Sequence, residues 1–412
     1  MQRPRIFSPS TLAAGLMGTL ALAAPVWAQP AALGLETEVE TRPGGIYAQC
    51  PAVAGREDGG FLVSWLRIVP GAKNEILARA GDPGGALEPL RVLDGTGDAT
   101  TSPLLAPTED GYTALWHRSL VEPNRFPHLT RELDVDGAPV GEPLDLARGG
   151  IELTPRPGGG TVSLWKSGAN LNLQLLKDDG KPVAPPVKLR LPKAIEWRVV
   201  LGPTGELVVL WHSGVNRNGR FVDLGYAAQR FDALGRPASK AFAVLPGRGR
   251  NDFRRDLVVA ALGADGTLAV AASVDDEPFV LGPGRVTLRT FDGAGHLLGG
   301  PFPVTSAVRN PNEISYATSL AAAPDGRVLL VWAQHPDPHR PEAHARVFNR
   351  EAEPEGGTFQ LHSQNNPERF FECANAAWAG DAWAVTWIGK SGSDFDHPPV
   401  TKSIYVRLFA GE

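Results

Sequence analysis

The 412-residue sequence lacks the motifs by which most enzyme classes are recognised. It contains no CxxC pair, nucleophile elbow, phosphate-binding loop or dinucleotide fingerprint, so it does not indicate dithiol redox, acyl-transfer or nucleotide-dependent chemistry. It also lacks any long segment in which apolar residues recur with helical periodicity. The remaining pattern of short alternating runs separated by turns predicts an all-β protein.

The chain also contains fewer basic residues than acidic ones. The chain has 40 Lys and Arg residues against 45 Asp and Glu residues, which gives a formal net charge of −5. Binding to nucleic acid requires a basic surface that neutralises phosphates. We therefore expect no nucleic-acid partner.

Residues 1–28 have the features of a cleavable export signal. Arg3 and Arg5 precede an apolar run from Leu12 to Ala24, and Val26-Trp27-Ala28 offers a small-x-small cleavage site. The apolar run is too short for a stable membrane span. We expect a periplasmic or secreted protein without a membrane span that begins near Gln29, with a net charge of 38 − 45 = −7 after loss of two arginines.

A short phrase that ends in tryptophan recurs along the rest of the chain. It consists of a Gly-containing turn, a strand of alternating apolar residues and the Trp, at intervals of about 45–60 residues. Four strand-like runs per copy predict one domain, a seven-bladed β-propeller over residues 29–412, with each Trp packed between neighbouring blades. The closing residues of blades one to seven are Trp65, Trp116, Trp165, Trp211, Ala272, Trp332 and Trp387.

The last copy contains only three strand-like runs. They cover Phe371–Ala377, Ala382–Trp387 and Ser403–Phe409, after which the chain ends. The alternating segment Leu33–Thr41 at the other end of the chain is predicted to supply the fourth strand. Such pairing would close the ring and remove an exposed pair of sheet edges.

Two segments match the halves of a known repeat. These are Tyr226–Gly235 (YAAQRFDALG) and Pro51–Trp65 (PAVAGREDGGFLVSW). On these residues the chain resembles the bacterial secreted β-propeller repeat family, in which a YAQRFDAxG…F.V segment is followed by PxVAxxxDGGFxVxW. The likeness covers nearly all of residues 29–412, with blade five deviating at Ala272. It implies a propeller and, because such repeats occur in many exported proteins, no particular activity.

The loops after each Trp and between blades should share one face of the propeller, and in blades two to four they are rich in cationic residues. Such an asymmetry on an acidic protein favours an anionic ligand, for example a uronate-rich or sulfated glycan. The alternative is a set of ordinary solvated loops. The candidate binding residues are His117, His128, His212, Arg220 and Tyr226.

The corresponding loop of blade six reads His335-Pro-Asp337-Pro-His339. The prolines hold the segment extended, which can place alternate side chains on one side and gather nitrogen and oxygen ligands for a divalent metal ion. The pattern matches no standard metal-binding motif, and a solvated loop is the alternative. No other cofactor is indicated.

Cys50 and Cys373 are the only cysteines and occupy equivalent places in the first strands of blades one and seven. These blades become neighbours once the ring closes. In an oxidising compartment the pattern favours a disulfide between them, and two buried thiols are the alternative.

Two functions fit the sequence best, and a metal-binding exported protein that uses the histidines of blade six is a third alternative. The first is an exported, non-catalytic binding or scaffold propeller for an anionic glycan or a partner protein. The alternative is a carbohydrate-active enzyme, either a polysaccharide lyase with a His or Tyr base or a glycosidase with two facing carboxylates. The histidines of blades two and four supply the residue types of a lyase, whereas the sequence singles out no carboxylate pair.

Overall fold

A computed structural model describes residues 29–411 of the chain. Gaps in the described residues fall at 44–45, 48–49, 69–72, 119–127, 147–150, 169, 190, 192–193, 218–219, 248–257, 276–283, 306–313, 336–341, 363–369 and 392–400. The expected export signal, residues 1–28, lies outside the described residues. No helix long and apolar enough to cross a membrane occurs in the described part of the chain.

The strands form seven antiparallel sheets, and the chain is a seven-bladed β-propeller, as the repeat predicts. Successive strands pair with their neighbours because short Gly-containing turns reverse the chain between them. In chain order the strands are β1 (Thr37–Pro43), β2 (Ile46–Tyr47), β3 (Ala52–Gly55), β4 (Phe61–Ile68), β5 (Asn74–Gly81), β6 (Arg91–Gly97), β7 (Leu104–Pro107), β8 (Gly111–His117), β9 (His128–Asp134), β10 (Pro139–Asp145), β11 (Ile151–Pro155), β12 (Thr161–Ser167), β13 (Asn170–Leu176), β14 (Val187–Leu189), β15 (Ala194–Leu201), β16 (Leu207–Arg217), β17 (Arg220–Phe231), β18 (Phe242–Pro246), β19 (Val258–Leu262), β20 (Leu268–Asp275), β21 (Gly284–Phe291), β22 (Leu297–Pro303), β23 (Ile314–Ala322), β24 (Val328–His335), β25 (Glu342–Phe348), β26 (Phe359–Gln360), β27 (Phe370–Ala379), β28 (Ala382–Ser391) and β29 (Thr401–Ala410). Blade one comprises β2–β6, blade two β7–β10, blade three β11–β14, blade four β15–β18, blade five β19–β22, blade six β23–β26, and blade seven β27–β29 with β1.

Each blade presents its connections on two opposite faces of the ring. We call the face that carries the connections after the second strand of each blade, and the connections between blades, the loop face. The opposite face, which carries the tight turns such as 156–160 and 177–181 in blade three, is the turn face.

The N-terminal strand closes the ring, which confirms the sequence prediction. Antiparallel pairing of β1 with β29 makes β1 the outermost strand of blade seven. The strand begins later than predicted, at Thr37 rather than Leu33, although Leu33 still donates its backbone N–H to the Leu408 carbonyl at 3.0 Å. Pairing of the chain ends leaves no open seam between blades one and seven.

The core lies in the seams between blades. Seven apolar clusters occur, and each joins residues of two neighbouring blades, because alternate side chains of every strand point to opposite sides of its sheet. The closing tryptophans of blades one, two, four, six and seven are buried against the preceding blade, as predicted. Trp165 of blade three differs, because it is only half-buried.

Polar side chains on the inner strands tie one blade to the next. Arg198 in blade four donates to the Val258 carbonyl of blade five at 2.7 Å, and Asn375 in blade seven donates to the Pro51 carbonyl of blade one at 2.8 Å. Both bonds satisfy backbone groups that face a neighbouring sheet. They fix the relative position of blades close to the axis.

Two devices hold the seam between blades seven and one. The β1 residue Glu40 accepts hydrogen bonds from Trp65 Nε1 at 2.6 Å and from the Arg67 guanidinium at 2.9 Å, both in blade one. Cys50 and Cys373 form a disulfide, with their Cα atoms 5.6 Å apart, which confirms the expected bridge. Strand pairing of β1 with β29, the contacts of Glu40 and the disulfide therefore all hold the seam between blades seven and one.

We expect Glu40→Ala to lower the free energy of unfolding by about 2 kcal/mol, because Trp65 Nε1 and Arg67 lose a half-buried carboxylate partner. The matched control is Glu38→Ala, which removes an exposed carboxylate from the same strand. Urea unfolding followed by tryptophan fluorescence measures both variants. Equal stability of the two variants would show that Glu40 does not hold the seam.

Replacing both cysteines with serine should cost about 2–5 kcal/mol of unfolding free energy, since the bridge closes a loop over a sequence separation of 323 residues. The measurement is chemical denaturation of the oxidised parent and the double variant. As a control, the reduced parent should match the variant. An unchanged denaturation midpoint in the variant would contradict a stabilising bridge.

Candidate functional site

Among the described residues of the loop face, the hairpin of β16 and β17 in blade four extends furthest beyond its closing Trp. Residues Leu207–Phe231 pair continuously up to Arg217 opposite Arg220, with a register shift between Ser213 and Gly214. Arg217 lies six residues beyond the closing Trp211 (217 − 211), whereas β8 ends one residue beyond Trp116. At about 3.3 Å per residue, the hairpin extends roughly 20 Å past the Trp. Its backbone carries two arginines at the tip.

The base of this hairpin holds two of the five predicted binding residues. The His212 ring stacks on the Tyr226 ring with centroids 4.5 Å apart and an interplanar angle of 8°. His212 Nε2 lies 2.8 Å from Asp223 Oδ1, and the same carboxylate oxygen accepts the Gly225 N–H at 2.7 Å. His212, Asp223 and Tyr226 are all buried. The group therefore braces the bend at which the hairpin leaves the blade.

The other two predicted histidines pair with each other in blade two. His117 and His128 lie opposite one another on β8 and β9, and their ring centroids are 4.0 Å apart in an edge-on arrangement. His128 is buried and His117 half-buried. Burial, together with the nearby His128 ring, lowers the pKa of His117 to about 4. His117 is therefore neutral at physiological pH and adds no positive charge to the loop face.

The five predicted binding residues do not form one site. His117 and His128 face the seam between blades two and three, whereas Tyr226 belongs to the apolar cluster between blades four and five. Arg220 lies at the hairpin tip. Packing explains the difference, because a histidine directly after the closing Trp points into the next seam rather than out of the loop face.

Arg118, which follows His117 in the cationic connection of blade two, also has a structural role. It donates to Asp94 at 3.0 and 3.1 Å, and Trp116 Nε1 donates to the same carboxylate at 2.8 Å. Burial pushes the pKa of Asp94 upward, but the bonds from Arg118, Thr96 and Trp116 outweigh it and hold the pKa below its usual value. This ion pair joins blade two to blade one, so Arg118 is not free for a ligand.

The predicted metal ligands cannot be assembled from the described residues. His335 is the last residue of β24, and Asp337 and His339 lie outside the described residues. No group of three or more His, Cys, Asp or Glu side chains in the described part of the chain is arranged to hold a metal ion. The neighbouring His344 pairs with Glu342 at 3.1 Å and stacks on Trp332.

Glu152 on the inner strand of blade three is a titratable residue that the sequence did not single out. Burial raises its pKa to about 7, although Arg198 of blade four counteracts the shift. It lies opposite Leu164, the residue before the closing Trp165. The other blades have apolar or polar residues at this position but no acid, namely Ala52, Leu104, Arg198, Val259, Ser319 and Asn375. An acid that occurs in one blade alone was the available signal.

Comparison with known proteins yields likenesses of fold only. No family model and no curated protein matches the chain. Among solved structures, a protein of unknown function from Dyadobacter fermentans is 13% identical with a TM-score of 0.45, covering 90% of this chain and 98% of that one. The β-propeller domain of the Trilobed protease from Pyrococcus furiosus is 10% identical with a TM-score of 0.47, over 86% and 100% of the two chains. The polysaccharide lyase Uly1 is 8% identical with a TM-score of 0.48, over 88% and 90%. At such scores these likenesses carry no information on activity.

The histidine pair of blade two should make the folded protein sensitive to acid. Because the folded-state pKa of His117 is about 4 and its reference value is 6.5, the unfolded chain binds more protons between these values. The contribution of neutral His117 to stability is thus complete above about pH 6.5 and is lost as the pH falls towards 4. We expect the double variant His117→Leu/His128→Ile, which copies the Leu66–Ile76 pair of blade one, to reduce this loss.

Thermal unfolding between about pH 7 and pH 4 tests this expectation. The melting temperature of the parent should fall more steeply than that of the double variant, and the two proteins should unfold alike near neutral pH. Parallel curves over the whole range would show that the pair has no part in acid sensitivity.

Proposed function

We propose that the protein is an exported, non-catalytic binding propeller that holds an anionic glycan on its loop face. The observation that carries the proposal is the β16–β17 hairpin, which projects from this face with Arg217 and Arg220 at its tip. Arg217 is exposed, and the guanidinium group of arginine suits carboxylate and sulfate groups, which it binds through paired hydrogen bonds. Because the net charge of the chain is negative, the two arginines at the tip are a local concentration of positive charge and not part of a generally basic surface, which supports an anionic ligand.

Binding is favoured over catalysis because of where the candidate bases lie. A lyase needs a base that reaches the sugar carbon from which it removes a proton. Among the described residues, however, His128, His212 and Tyr226 are buried in seams, and His117 packs on His128. Their contacts with neighbouring side chains account for their presence without a catalytic role.

Export is supported by two separate features. The sequence begins with a basic, apolar and small-residue series typical of a cleaved signal, and Cys50 is bonded to Cys373. Disulfides of this structural kind persist in oxidising compartments such as the periplasm and the exterior of the cell. A partner protein with an acidic surface would be recognised by the same hairpin.

Arg217→Ala/Arg220→Ala should weaken binding of polygalacturonate, alginate or chondroitin sulfate about tenfold or more, since about 1.4 kcal/mol corresponds to a factor of ten. Calorimetric titration of the mature protein measures the affinity at low and high salt, and screening should weaken parent binding. The matched control is Arg236→Ala/Lys240→Ala, which removes two exposed cations from the opposite end of the same blade.

Three outcomes would contradict the proposal. The first is that the parent binds none of the anionic glycans, and the second is that both double variants lose affinity equally. The third is release of new reducing or unsaturated ends from any of the polymers, which would favour the enzymatic alternative.

A further inference from the structure

The seam between blades two and three differs from the other six. In every blade, the residues two and four positions before the closing residue point towards the preceding blade. Six blades have apolar or aromatic residues at both positions, whereas blade three has Ser163 and Thr161. From the other side of the seam, Thr113 stands where the remaining blades have Leu62, Val162, Val208, Ala269, Leu329 and Ala384. The apolar cluster is correspondingly small, with Leu115, Leu146 and Leu153 buried.

The third-strand side chain that ties one blade to the preceding one also varies around the ring, and blade three resembles blade four in having a glutamine there, Gln229 in blade four. An arginine on the third strand of blades one, two and seven donates to a carbonyl on the outer strand region of the preceding blade. These bonds are Arg79 to Val39 at 3.0 Å, Arg131 to Leu93 at 2.8 Å and Arg407 to Leu361 at 3.3 Å. Blade three has Gln174 at this position, and its amide donates within its own blade, to Ala184 at 3.2 Å.

A cavity of about 270 Å³ that is open to solvent lies in this seam, and Thr113 and Thr161 are among the residues that line it. It lies towards the turn face, because Gly160 and Asp178 belong to turns of blade three. Its wall combines threonine hydroxyls, carboxylates and two apolar side chains, Val140 and Leu144. The volume is just below the usual range of small-molecule sites, which suits a ligand of a few heavy atoms.

Two buried hydroxyl groups in this seam have no partner within the described protein. Thr113, which lines the cavity, is 3% exposed, and its Oγ1 makes no hydrogen bond. Ser163 of the facing blade is fully buried, and its Oγ also makes no hydrogen bond. Since Thr113 points from β8 towards blade three, its orphaned hydroxyl borders the cavity. A buried polar group without a partner costs free energy, which a ligand with donor or acceptor groups can recover.

The charge of the wall is negative. Glu132, Glu142, Asp178 and Asp179 line the cavity, and all four residues are exposed to solvent. Asp179 pairs with Lys181 at 2.6 Å, and Asp178 accepts the Gly160 N–H. The one lining cation, Arg131, is committed to the carbonyls of Leu93 and Gly141. These carboxylates do not form a metal-binding group among the described residues.

We propose that this inter-blade cavity binds a small organic molecule that carries a primary ammonium group. The ammonium donates to Glu132 and Glu142, the carbon skeleton packs on Val140 and Leu144, and a further polar group pairs with the Thr113 hydroxyl. This chemistry belongs to amino sugars and to aliphatic diamines. The site is separate from the hairpin on the loop face, so it stands whether or not a glycan binds there.

Calorimetric titration of the mature protein with glucosamine and with 1,4-diaminobutane tests the proposal, with glucose as the uncharged counterpart. We expect saturable one-to-one binding of at least one amine with a Kd below about 1 mM and no binding of glucose. Stronger binding of glucosamine identifies an amino sugar as the source, and stronger binding of the diamine identifies an aliphatic amine.

The variant Glu132→Gln/Glu142→Gln should weaken amine binding tenfold or more, and Thr113→Val should weaken it severalfold. The control is Glu109→Gln, an exposed acid in a turn of blade two outside the cavity, which should change the affinity less than twofold. The proposal is overturned if neither amine binds saturably, if the control weakens binding as much as the double variant, or if a crystal soaked with amine contains only water in the cavity.

Discussion

Pairing between the first and last strands is the constraint on which the rest of this structure depends. A propeller blade buries its two faces only against neighbouring blades, so a ring with one open seam would expose two of them. Here β1 completes blade seven, and Glu40 on that strand reaches across to Trp65 and Arg67 of blade one. The same seam contains the Cys50–Cys373 bond. Closure of this seam leaves every blade with a neighbour on both sides.

Within the closed ring, the repeat determines which positions are structural, and departures from it indicate where function lies. The histidines after Trp116 and Trp211 occupy repeated positions whose side chains enter a seam, and they pack there like the leucine of blade one. Among the described residues, the hairpin of blade four extends furthest beyond its closing Trp, and the seam between blades two and three has the smallest apolar cluster. The protein thus combines a regular framework with two local exceptions of opposite charge.

The repeat was sufficient to predict the seven blades, the closing strand and the disulfide, because these follow from alternation and from the spacing of equivalent residues. It located the candidate site less well. His117, His128 and His212 are polar residues next to loops, and a linear sequence does not reveal whether such a side chain points out of the face or into a seam. Thr113 and Ser163 show the converse. Each is an ordinary residue whose meaning appears only when the same position is compared across blades that face each other in space.

The position of the disulfide provides a way to measure how many molecules have closed the ring covalently. Its two cysteines are in the first and seventh blades and are separated by 323 residues in the sequence, so the bond can form only when the two ends of the ring meet. A reactive thiol in a preparation of the protein therefore reports a molecule whose last seam is not covalently closed. Thiol labelling would measure the fraction of such molecules directly, without any assay of activity.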